Sequence, residues 1–125
     1  MLFRSVLRRA QFSLQSSPYA TQPVMAIGSI SIDFTQHLVT REGQEVTITP
    51  IEFRILSYLA QNVGRVVTQD LLLEHVWGAE YIGESHMLQV NMNRLRHKLE
   101  DDPAHPSFIL TKVGIGYYIP AQANG

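Results

Sequence analysis

Val90, Asn93 and Arg94 fall within one short run, "SHMLQVNMNRLRHKLEDDP", Ser85 to Pro103. Their types match three ways of reading a base edge. A guanidinium forks onto guanine, a carboxamide pairs with adenine, and an aliphatic side chain presses on the thymine methyl. At about 100° per residue, Leu88, Met92, Leu95 and Leu99 form one narrow stripe, which is the core face of a helix. The opposite stripe holds His86, Val90, Asn93 and His97, flanked by Gln89 and Arg94, with Arg96 on the border. Val90 is thus expected in water. Arg94, Arg96 and Lys98 add charge suited to neutralising phosphates. An ordinary solvated basic face has the same composition and stays open at this point.

Other chemistry is poorly served. His37, His75, His86, His97 and His105 lack the close spacings of zinc sites, and the chain has no cysteine, hence no thiolate metal site and no disulfide. No cofactor and no metal are expected. Glu84, Glu100, Asp101 and Asp102 are explained by helix ends and turns, whereas a catalytic acid pair would need burial. The glycines of "GIG" lie between two strand patterns, so no phosphate-cradling loop opens a helix. The residues point to binding and not to an enzyme.

The elements that must position this face can be read along the chain. "MLFRSVLRRAQFSLQ" (1–15) has helical amphipathic spacing with Arg4, Arg8 and Arg9 on other faces. Its Arg and Ser content without acids also fits an organelle transit peptide. "SSPYATQP" (16–23) reads as a linker. From Val24, the runs "VMAI", "SISID", "HLVTR" and "QEVTI" predict a small antiparallel meander, with Glu42-Gly43 as a tight reversal.

"TPIEF" starts a helix: Thr49 caps, Pro50 takes the first helical position and Glu52 completes a capping box. Phe53, Leu56, Leu59 and Val63 form its expected buried stripe, and Gly64 its stop. "RVVT" predicts only a strand fragment. Thr68 caps a second helix, "QDLLLEHVW", stopped at Gly78. Seven residues later the third helix begins, and it ends before Pro103. "FILTKV" and "YYIP", joined through "GIG", predict a hairpin.

The fold class expected is α+β: a winged helix-turn-helix with an N-terminal β-meander, three helices and a C-terminal β-hairpin wing, over residues 24–121 with a tail at 122–125. The chain has 125 residues and is 45% hydrophobic, which suits one domain with a real core. Net charge is −1, but Arg4, Arg8 and Arg9 supply +3 before Asp33. Later residues carry 7 basic and 11 acidic groups, or 7 − 11 = −4. Any polyanion must therefore be held by a local basic face. That balance keeps a second class open, a winged-helix protein-interaction module without DNA readout. No apolar stretch nears the roughly 18 to 20 residues of a membrane span, and the cytoplasm is the expected setting.

"ITPIEFRIL", "LLLEHVWG", "NRLRHKLEDDP" and "TKVGIGYYI", in this order from about Val24 to Pro120, resemble the DNA-binding domain of OmpR/PhoB-type bacterial response regulators. Within that family they are most similar to the branch controlling the Kdp potassium-uptake operon. The resemblance implies a two-component transcription regulator that binds tandem half-sites on double-stranded DNA as a dimer, the fragment alone being monomeric.

By motif position it implies Arg94 as base reader, Val90 on thymine methyls, Arg96 on phosphate and Trp77 with its indole N–H toward the backbone. Thr111 matches a phosphate-binding wing residue, with Lys112 the only nearby cation. Asn93 stands where some members carry arginine. His86 and His97 border this set. The loop Gly78, Ala79, Glu80, Tyr81, Ile82, Gly83 and Glu84 corresponds to a segment that touches RNA polymerase. Val113 and Tyr118 replace arginines of other members, so the wing is expected to hold phosphate more than to read sequence. A sensor histidine kinase is implied only through a receiver domain whose pattern is absent here, and "MLFRSVLRRAQ" resembles the last helix of such a receiver.

Overall fold

The computed structural model describes residues 23–121. The expected helix at 1–15, the linker up to residue 22 and the tail at 122–125 lie outside the described residues. In chain order the elements are β1 (Val24–Ile27), β2 (Ile30–Asp33), β3 (Leu38–Arg41), β4 (Gln44–Val46), α1 (Pro50–Gln61), β5 (Val67–Thr68), α2 (Gln69–Val76), a 3-10 turn (Ala79–Tyr81), α3 (Ser85–Leu99), β6 (Leu110–Lys112) and β7 (Gly116–Tyr118).

The first four strands form an antiparallel sheet in sequential order. Two of its reversals have two-residue loops, Gly28-Ser29 and the expected Glu42-Gly43. Arg41 pairs with Gln44, and the two residues between them, Glu42 and Gly43, have φ of +52° and +81°. Positive φ at both central positions gives the turn twist that matches the strands. Alternation puts Ile30, Ile32 and Val39 inward.

α1 begins as its residue types dictate. Thr49 Oγ1 accepts the Glu52 N–H at 3.1 Å and Glu52 Oε1 accepts the Thr49 N–H at 3.0 Å, a reciprocal capping box. The helix ends earlier than the apolar spacing predicts. Asn62 caps it, with its side-chain amide on the Tyr58 carbonyl, so Val63 lies beyond the last turn and is 37% exposed. Phe53, Leu56 and Leu59 are buried as expected, joined by Ile55 and Ala60.

Glu52 does more than cap. It is buried and forms an ion pair with Lys98 of α3. Burial alone pushes the Glu52 carboxyl up, but the Lys98 hydrogen bond, the Thr49 N–H and the Lys98 charge together hold it below its ordinary 4.5. A depressed carboxyl contributes stability that is complete above the unfolded-state value and lost as pH falls through the folded one. Unfolding free energy measured by urea from about pH 5 to about pH 3 is thus expected to decline. Glu52→Gln should remove part of that slope while lowering stability at neutral pH.

β5 has only two residues, yet it enters a second sheet of order β5-β7-β6, pairing Val67 with Tyr117 and Thr68 with Gly116. Glycine is required there, because a Cβ on Gly116 would stand 1.9 Å from the Val67 carbonyl oxygen. The hairpin β6-β7 is thereby tied to the strand that leads into α2. α1, α2 and α3 bury Leu56, Leu59, Leu72, Leu73, Leu88 and Leu95 in one core, closed by Ile109 and Ile119 from either side of the wing.

Candidate nucleic-acid interface

α3 starts at Ser85 without a side-chain cap, so packing and not local chemistry holds it. Leu88, Met92, Leu95 and Leu99 are buried against the core. The opposite face is therefore turned outward, as the helical period predicts. His86, Gln89, Asn93, Arg94 and His97 are exposed.

The side chains of Asn93 and Arg94 have no hydrogen-bond or ionic partner among the described residues. Two adjacent donor-bearing groups thus stand in water with their bonding capacity free. Val90 departs from expectation: it is half-buried. A short β-branched side chain sinks between longer neighbours one helical turn away, leaving only its outer surface available. The His97 ring is turned back onto its own helix, with Nδ1 at 2.9 Å from the Asn93 carbonyl oxygen.

The two remaining cations of α3 are engaged inside the domain. Lys98, expected to neutralise phosphate, pairs with buried Glu52. Arg96, also expected on phosphate, donates from Nε (3.1 Å) and a terminal nitrogen (2.8 Å) to the Ile109 carbonyl. The same terminal nitrogen lies 2.8 Å from Thr111 Oγ1. Its guanidinium carbon lies 5.5 Å from the Tyr117 ring centre. Burial draws the Arg96 pKa down, opposed by Tyr117 and Glu100, and burial raises Tyr117.

The wing presents Thr111, Lys112 and Val113 to solvent, with Val113 88% exposed at the turn. Trp77 follows α2 and is half-buried against the core. Its indole N–H has no acceptor among the described residues, so a packed ring keeps an uncommitted donor. Residues 79–84 between α2 and α3 are exposed, including Tyr81 and Ile82.

Spacing missed one anchoring group. Glu100 is 4% exposed, and its two oxygens accept the backbone N–H groups of Ser107, Phe108 and Ile109 at 2.7–3.0 Å. It looked like an ordinary helix-end acid, because the donors that hold it lie seven to nine residues ahead in the chain.

Residues 43–119 match the family model described as "Transcriptional regulatory protein, C terminal". The chain belongs to this family. The family is one of DNA-binding transcription regulators of OmpR/PhoB type and is not an enzyme family. The chain is 41% identical over 114 residues to the KDP operon transcriptional regulatory protein KdpE of Escherichia coli K12, covering 91% of this chain and 48% of that one. It is 40% identical over 119 residues to KdpE of Mycobacterium tuberculosis H37Rv, covering 95% and 53%. The chain thus spans about half the length of the curated relatives it matches.

Among solved structures it is similar to the Thermotoga maritima OmpR/PhoB homologue DrrB, with TM-score 0.74 and 34% identity over 80% of this chain and 45% of that one. The DNA-binding domain of Klebsiella pneumoniae RstA, solved in complex with the RstA box, gives 0.73 and 30% over 79% and 98%. This transcriptional regulatory C-terminal domain is accordingly an α+β winged helix. Among the described residues no helix is long and apolar enough to cross a membrane.

Proposed function

We propose that this domain binds double-stranded DNA sequence-specifically by laying α3 in the major groove, with Arg94, Asn93 and the outer surface of Val90 against base edges. Carrying this reading is the state of Arg94 and Asn93: exposed, adjacent and unengaged, while Arg96 and Lys98 are occupied within the fold. Thr111, Lys112 and the Trp77 indole N–H supply backbone contacts beside them. His86 and His97 border the groove. The similarity to the two KdpE proteins supports control of a potassium-transport operon.

With few free cations on the face and −4 on residues from Asp33 onward, one domain binds weakly. Two copies on tandem half-sites supply the avidity, the isolated domain being monomeric. The loop at 78–84, exposed from residue 79 onward, serves RNA polymerase. A sensor histidine kinase acts only through a receiver domain, with residues 24–121 as the effector.

Selection of duplexes from a random pool, followed by a salt titration, tests the reading. Affinity is expected to concentrate on one motif and to fall with salt by about 0.9 in log–log slope per phosphate engaged. Binding that is absent, or indifferent to both salt and sequence, would instead favour a protein-interaction module.

A further inference from the structure

Three features of the wing are unexplained by a phosphate-binding role for Arg96. Its guanidinium spends Nε and one terminal nitrogen on the Ile109 carbonyl, the residue before β6. The same terminal nitrogen reaches Thr111 Oγ1. On the far side the Tyr117 ring of β7 covers the group. Glu100, one helical turn further on, grips the N–H groups of residues 107–109 from the same side of α3. The strand entering the wing is therefore held twice by α3, its carbonyl by a cation and its N–H groups by an anion.

A threonine hydroxyl has one proton and two lone pairs. With an Arg96 N–H donated to its oxygen, the Thr111 hydroxyl is left with its proton to give away. The group is exposed, so an acceptor outside the domain can reach that proton. We infer that Arg96 is a positioning residue for nucleic-acid binding: it sets the wing against α3 and aims the Thr111 hydroxyl as a donor to a backbone phosphate oxygen, and it does not itself neutralise a phosphate.

The inference rests on the DNA-binding reading above, and its test separates the two. Lysine at position 96 keeps the charge but cannot give a fork to Ile109 and a further N–H to Thr111. The wild type, R96K, T111V and the double variant are titrated with a random-sequence duplex pool over a salt series. The wild type is expected to bind with a finite salt slope, and failure of that first measurement overturns the DNA-binding reading before any variant is compared.

R96K and T111V are each expected to lose about fivefold in affinity, the scale of one hydrogen bond. Their salt slopes should stay at the wild-type value, and the double variant should be no weaker than either single. Wild-type affinity in R96K would overturn the inference, as would additive losses in the double variant. An R96Q variant whose slope falls by about 0.9 would do so too, because that is the signature of a lost phosphate contact. Amide exchange of the free protein reads the clamp without DNA. R96K should speed exchange in β6 and β7 and leave α1 protected, and unchanged wing protection would refute the positioning role.

Discussion

Replacing Glu100 by alanine is expected to destabilise the domain by about 2–4 kcal/mol, a large part of the roughly 5–15 kcal/mol that holds a domain of this size. The cost follows from donors, not from a lost charge pair. Phe108 and Ile109 are half-buried and buried, so their N–H groups lose their acceptor where water does not readily replace it. Ser107 is exposed and recovers a water. Glutamine is expected to rescue little, since its NH2 group would face an N–H donor at one of the two oxygen positions. Urea unfolding of the wild type, E100A and E100Q checks this. A midpoint drop with unchanged slope is the expected result, and wild-type stability in E100A would refute the anchoring role.

Arg94→Ala is expected to cost roughly 1–3 kcal/mol of DNA affinity and to flatten preference at one base pair of the selected motif. Nothing in the domain compensates. Arg94 has no partner among the described residues, and the two neighbouring cations of α3 are held by Ile109 with Thr111 and by Glu52. Because Arg94 is exposed and has no hydrogen-bond or ionic partner among the described residues, unfolding should be unaffected within about 0.5 kcal/mol. Repeating the duplex selection with the variant measures the effect directly. A variant that retains the same motif with the same sharpness would show that bases are read elsewhere.

These effects rest on a division of labour among charges of like sign. Along α3, Arg94, Arg96 and Lys98 succeed one another at every second residue, and by composition they make one basic patch. Among the described residues only the first makes no side-chain hydrogen bond or ion pair. A guanidinium on a carbonyl and a hydroxyl, and an ammonium on a buried carboxylate, keep their formal charge but have part of their donors committed and their heads held in place. The uncommitted charge on this face is therefore smaller than a count of residues suggests, and the proposed tandem binding would supply the remaining affinity.

Much of the frame was legible from residue order, since its causes are local. The Thr49–Glu52 box, the Thr68 cap, the Glu42-Gly43 reversal and the leucine stripe of α3 each depend on residues within a few positions of one another. Once those leucines turn inward, Arg94 and Asn93 have no other side to occupy. The expected α1 stop, Gly64, lies two residues past the observed cap, because Val63 continues the apolar period while Asn62 already caps the helix.

Partners of the long polar side chains were decided by the tertiary structure alone. Lys98 meets Glu52 across 46 residues, Arg96 meets Ile109 across 13, and β5 finds β7 only when Gly116 lets two backbones touch. Side chains of this length reach several ångströms in many directions, and no periodicity records which neighbour the packed core brings within reach. Whether an arginine reads DNA or holds its own wing is therefore set by folding, not by its position in a motif.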